Sequence, residues 1–153
     1  MLKRRDAREL AFQIIFEKSF TDSPLEEIFE LAREVRDVEP DKYVISVTRG
    51  VYDNLEALDG VIEKYAVGRS KARLSKVVLA LLRLALYEIM LVPDIEESIS
   101  VNEAVELAKK YSVTEEAKYI NGVLGSVVRA GEKLPELQKE SDADIDAPAG
   151  EEL

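Results

Sequence analysis

Apolar residues return at every third or fourth position along most of this chain and almost never alternate, the pattern of amphipathic helices rather than strands. A first helix is predicted over residues 3–18, with Ala7, Leu10, Ala11, Ile14 and Ile15 turned inward. Ser23-Pro24-Leu25-Glu26 reads as a helix start, combining a cap, a proline at the first helical position and a capping-box glutamate. The helix behind it would bury Leu25, Ile28, Phe29, Ala32 and Val35. After a polar break at residues 37–40, a further stripe starts near Asp41 with Tyr43, Val44, Val47 and Val51. It continues through Leu55, Leu58, Ile62 and Tyr65. Asn54 interrupts it as a cap or a kink, and the pattern fits one helix or two.

Residues 77–91, VVLALLRLALYEIML, break the amphipathic rule, because only Arg83 and Glu88 carry charge. A membrane span needs about 20 apolar residues, and two ionisable groups in so short a run oppose insertion. A helix apolar on most faces is otherwise wrapped by other helices, so this is the predicted central core helix. It would begin near Leu74 or Ser75 and end before Pro93. Arg83 and Glu88 are assigned structural roles, since a lone charge in a core helix needs a buried partner.

Two more helices follow. Ser100-Val101-Asn102-Glu103 reads as a second capping box, placing Val101, Ala104, Val105 and Ala108 inward. Thr114 would cap the last helix, whose face is Ala117, Ile120, Leu124, Val127 and Val128 and which Gly131 ends. Gly122 and Gly125 inside it each cost roughly 1 kcal/mol relative to alanine. Gly122 is accordingly assigned a structural role, the close approach of another backbone. The expected fold is all-α, a bundle of about seven helices over residues 1–133. Beyond it, residues 134–153 form an acidic tail too poor in apolar residues to offset its ordering entropy, and are expected to be disordered.

At 153 residues the chain can bury a core without staples, and it has no cysteine to make them. It also lacks histidine, the usual general base and the commonest metal ligand. No phosphate-binding loop, nucleophile elbow or metal-ligand spacing is present, and adjacent carboxylates such as Glu26 and Glu27 point in different directions on a helix. The expectation is a protein that is not an enzyme and needs no cofactor. The lack of a leader or a membrane-length segment points to the cytoplasm.

The net charge of −10 hides two basic segments. Residues 1–20 hold five bases against three acids, and residues 69–83 hold five bases and no acid. Lys3, Arg4, Arg5 and Arg8 crowd a helix N-terminus, where cations oppose the macrodipole. Either that helix end is simply solvated, or it is an anion-binding arm whose arginines make no core contact. Basic segments of this kind suit phosphates. Phe12, Phe16 and Tyr119 are candidate stacking partners for unpaired bases, although each also fits a core position.

Four motifs carry a resemblance. Arg4-Arg5-x-Ala7-Arg8-Glu9-x-Ala11-x-Gln13-x-x-Phe16 resembles the N-terminal signature of the NusB family of bacterial transcription antitermination factors. Leu82-Arg83-Leu84-Ala85-Leu86-Tyr87-Glu88 is similar to that family's central helix, and the segment from Ser100 to Lys109 to its "INEAVELAK" stretch. Tyr119-Ile120-Asn121-Gly122-Val123-Leu124 resembles its "FVNGVL". The motifs stand in family order and span residues 3–131.

The resemblance implies an all-helical domain that binds single-stranded boxA RNA of nascent ribosomal transcripts. It would do so together with NusE, a small-subunit ribosomal protein, within an antitermination complex of RNA polymerase. Carried over by position, the RNA-binding residues would be Lys3, Arg4, Arg5, Arg8, Gln13, Phe16, Tyr119 and Asn121, and the NusE contact would involve Lys76, Val78 and Leu79. The chain departs from the family at Phe16, where tyrosine is usual, and at Val78-Leu79, where Asp-Arg is common. Gly125 stands in place of an aspartate, and Gly68-Arg69 replaces a tryptophan ahead of the central helix. Two other readings remain: a helical protein–protein adaptor without RNA binding, and a stand-alone relative of the NusB-like domain of ribosomal RNA methyltransferases.

Overall fold

The computed structural model describes residues 2–132. The predicted tail and its boundary with the domain lie outside them. Among the described residues there are seven α-helices and no strand. They are α1 (Arg4–Lys18), α2 (Leu25–Val35), α3 (Lys42–Asp53), α4 (Leu55–Tyr65), α5 (Lys76–Leu91), α6 (Glu97–Tyr111) and α7 (Thr114–Ala130), with one 3-10 turn at Lys71–Arg73 ahead of α5.

The charge-poor stretch is the axis of the bundle. α5 packs against α1, α3, α4, α6 and α7, while α2 lies on α1 and the α6–α7 pair closes the far side. Ser75 caps α5 by accepting a hydrogen bond from the Val78 N–H at 3.1 Å. Leu81, Leu82, Leu86 and Tyr87 on its successive turns are all buried. The stripe through Asn54 is two helices: Asn54 leaves helical geometry at φ −119° and ψ 22°, closing α3 and opening α4. Its side-chain amide donates to the Gly50 carbonyl at 2.8 Å.

Three predicted helix starts are displaced. Pro24, not Ser23, flanks α2, and no side chain caps that end. α6 begins at Glu97, three residues before the supposed capping box, so Ser100 lies inside the helix. Its hydroxyl donates to Glu88 Oε1 at 2.8 Å instead of capping a backbone N–H. Val101 and Val105 are therefore only half-buried, and Leu107 joins Ala104 and Ala108 in the core. Thr114 is the first residue of α7, with Val113 as the flanking residue.

The glycine expectation is also corrected. A Cβ on Gly122 would meet nothing within 4 Å, and one on Gly125 would meet only the flexible end of Arg129. Neither glycine permits a close helix approach. Gly50 does: a Cβ there would lie 2.2 Å from Cζ of Tyr87, so only glycine lets α3 sit against the α5 tyrosine.

Both charges of α5 have partners. Arg83 makes a two-pronged pair with Asp59 of α4, Nε to Oδ1 at 2.8 Å and Nη2 to Oδ2 at 2.9 Å, and Lys71 adds a third contact at 3.1 Å. Glu88 is buried and takes Nε of Arg8 on both oxygens, at 3.2 and 2.9 Å, together with the Ser100 hydroxyl. Burial pushes the Glu88 carboxyl above its ordinary pKa, while the Arg8 guanidinium pulls against that rise.

Two predictions follow from this packing. Gly50→Ala forces Tyr87 or the helix to shift, an overpacking penalty of about 1–3 kcal/mol, and should lower the melting temperature by several degrees. Gly122→Ala, facing open space, should raise stability by up to about 1 kcal/mol through helix propensity. Equal effects of the two substitutions in thermal melts would contradict the packing described. Arg83→Leu should reduce stability in urea unfolding by on the order of 3 kcal/mol, since Asp59 would keep only Lys71. A variant as stable as the parent would show that the pair holds nothing together.

Candidate nucleic-acid interface

The basic arm at the start of α1 divides in two. Lys3 flanks the helix in extended conformation and is exposed. The Arg4 guanidinium lies over the ring of Tyr43 on α3, 4.2 Å from its centroid, a cation–π contact that leaves the charge at the surface. Arg5 remains 74% exposed while bonding Glu103 of α6 through Nε at 3.2 Å and Nη2 at 2.8 Å. Arg8, predicted to meet phosphate with them, does not reach the surface. Its side chain is 6% exposed, committed to Glu88 and 3.7 Å from Glu103. One helical turn separates Arg4 from Arg8, and it carries the side chain from the surface into the core.

Arg5, Glu9, Gln13 and Phe16 then follow one another at spacings of three or four, a single stripe along α1 beside α6. Gln13 Nε2 donates to the Tyr111 hydroxyl at 2.9 Å. Tyr111 in turn donates to Glu9, which also accepts from Lys110 at 2.6 Å. Burial alone would raise the Glu9 carboxyl, but the bonds from Lys110 and Tyr111 outweigh it and hold the group below its ordinary pKa.

Phe16 is half-buried within a ladder of rings. Phe12 lies 6.1 Å from it on one side and Phe20 meets it edge-on at 4.9 Å on the other, while Tyr111 packs on Phe12 at 4.9 Å. The ladder reaches solvent at Phe20, which is 62% exposed. Lys76, at the start of α5, holds its ammonium 5.1 Å from the Phe20 ring and donates to the Ser19 carbonyl at 3.1 Å. An exposed ring beside a cation with no acidic partner among the described residues is suited to an unpaired base next to a phosphate. Phe20 was not singled out from the sequence, although its position four residues after Phe16 continues the Phe12–Phe16 spacing.

The remaining candidates lie on α7 and at the start of α5. Asn121 is exposed. Tyr119 is half-buried, its hydroxyl is enclosed without a hydrogen bond, and burial raises its pKa. Its ring is covered by the Arg69 guanidinium at 4.2 Å, and Arg69 Nη1 bonds both oxygens of Glu116 at 3.0 Å. The expectation of an open stacking face on Tyr119 is thus corrected. Of the predicted partner-contact residues, Lys76 is exposed and Leu79 half-buried, but Val78 is fully buried and has no surface to offer. The second basic segment is also less free than its composition implies: Arg83 and Lys71 are held by Asp59 and Arg69 by Glu116, leaving Arg73 and Lys76 without an acidic partner among the described residues.

No group of three or more metal-ligating side chains occurs among the described residues, and no helix there is long and apolar enough to cross a membrane.

Known proteins with this sequence and shape point one way. The chain is 42% identical over 128 residues to the transcription antitermination protein NusB of Acetivibrio thermocellus, covering 82% of this chain and 88% of that one. It is 41% identical over 147 residues to NusB of Carboxydothermus hydrogenoformans, covering 92% of this chain and all of the other. The fold matches NusB of T. maritima at a TM-score of 0.75 and 32% identity, covering 84% of this chain and 92% of that one. It also matches a chain in the crystal structure of antitermination factors NusB and NusE in complex with double-stranded RNA. That match has a TM-score of 0.75 and 26% identity, and covers 83% of this chain and 96% of the other. With the NusB family profile matching residues 5–129, the whole described bundle is accounted for, and the chain belongs to the NusB family.

Proposed function

We propose that this protein is a transcription antitermination factor that binds single-stranded boxA RNA of ribosomal transcripts together with NusE, within an RNA polymerase complex. The observation that carries the reading is the juxtaposition along α1. Exposed cations Lys3, Arg4 and Arg5 mark one end, and the ring ladder ending at Phe20 with Lys76 marks the other. Twelve residues from Arg4 to Phe16 at 1.5 Å each separate these by about 18 Å. A strand lying along the helix would meet phosphate-binding groups first and stacking groups last. On a chain of net charge −10 such a cationic helix end has a local purpose.

The RNA roles are then distributed by exposure. Lys3, Arg4 and Arg5 contact phosphates, Gln13 and Asn121 present amides to base edges, and Phe16 acts through Phe20. Arg8 supports the arm from inside. The NusE contact would use Lys76 and Leu79. Support for both partners comes from the family and from the related chain crystallised with NusE and RNA. The adaptor reading without RNA is tested by the same experiment, binding of a boxA oligonucleotide with and without NusE. Absence of binding in both conditions would favour it.

The arm makes a quantitative prediction. If Lys3, Arg4 and Arg5 each neutralise one phosphate, replacing all three with alanine should make the slope of log K against log salt shallower by about 2, at roughly 0.7 per contact on a single strand. Thermal melts of the triple variant should stay close to the parent, because its side chains are exposed and alanine favours helix. An unchanged salt slope would remove the arm from the RNA site.

A further inference from the structure

The Tyr119 ring has one side against the core, where it packs with the buried cluster, and the other under Arg69. No face is left for a base. The covering group, however, is itself planar and is fixed by two independent contacts. Cation–π attraction holds it flat over the ring, and Glu116 grips Nη1 with both carboxylate oxygens at 3.0 Å. The Arg69 side chain remains 34% exposed. Arginine guanidinium planes stack with unpaired RNA bases as aromatic rings do. Since Glu116 already neutralises this charge, Arg69 is better suited to stacking than to phosphate contact.

Resting on the RNA reading above, we propose that Arg69, layered on Tyr119, is the platform on which one base of the bound strand stacks. Its surroundings fit. Arg69 sits in the loop that leads through the 3-10 turn to Lys76 and α5, and Tyr119 lies on the second turn of α7, shortly after Tyr111 ends α6. Lys76 touches the end of α1, and Tyr111 touches its middle. The platform therefore stands at the same end of the bundle as the Phe16–Phe20 ladder. Exposed Lys118 and Asn121 flank Tyr119 in sequence, the first a cation for the backbone and the second an amide for a base edge.

The test is a cycle between protein and RNA. Arg69→Lys keeps the charge and can still pair with Glu116 but loses the plane. Abasic nucleotides are introduced one position at a time in a boxA oligonucleotide, and affinity is measured with NusE present. At one position, Arg69→Lys and the abasic change should each weaken binding about five-fold or more, as expected for loss of one stacked base. Combined, they should weaken it no further than either alone, because both remove the same contact. The salt slope of Arg69→Lys should match the parent, and its thermal melt should be unchanged. Additive losses at every position, or an Arg69→Lys affinity equal to the parent, would overturn the platform. Tighter binding by Arg69→Ala would also overturn it, by showing that Arg69 is a cover over Tyr119. If the parent itself binds no RNA with or without NusE, the RNA reading fails and this inference with it.

Discussion

A carboxylate in the middle of an apolar helix has to be answered by a cation, and in this protein that requirement sets the geometry of the RNA-facing side. Glu88 stands on α5, which has no polar face to turn outward. Its two oxygens draw Arg8 from α1 and Ser100 from α6 into the core. Three helices meet at one buried group, each contributing the polar atom that the other two need. A buried pair of this kind adds little net stability over a well-packed apolar replacement, but losing one partner leaves a charge stranded. What the pair fixes is rotation and register. With Arg8 pointing inward, Arg4 and Arg5 on the preceding turn must point outward, and the stripe through Glu9, Gln13 and Phe16 is set beside α6.

The helical stripes, the central helix and the need of Arg83 and Glu88 for partners were legible in the sequence because they depend on local periodicity. Helix ends were less so. At Ser100 the capping-box pattern is present, yet the hydroxyl is used across the core by Glu88, a tertiary contact that no local pattern encodes. Arg8 shows the same limit in the site. A count of charges groups it with Lys3, Arg4 and Arg5, although it also shares a face with Ala11, Phe12 and Ile15 at spacings of three, four and seven. That spacing, set beside an unpartnered core glutamate, was the available sign that Arg8 is inward. Nothing in the sequence paired Arg69 with Tyr119, because loop and helix are brought together only by the fold.

The departures from the family pattern also acquire physical content. Val78 and Leu79, where the family commonly carries charge, are taken up by the core and its margin, so the α5 contribution to any partner contact narrows to Lys76 and the edge of Leu79. Arg69 stands where a tryptophan is usual, and it still covers the α7 aromatic with a flat group. The surface has kept a planar element there while changing its chemistry from apolar to cationic, with Glu116 balancing the added charge.

The central claim is that the arginines of α1 are divided between core and surface by Glu88, and a double-mutant cycle in urea tests it most directly. Arg8→Met and Glu88→Leu, made singly, should each lose about 3–5 kcal/mol, because each strands the opposite charge in the core. Combined, they should recover most of that loss, since both charges are then gone and apolar groups fill the space. Single variants as stable as the parent, or losses that simply add in the double variant, would contradict the account and return Arg8 to the surface arm.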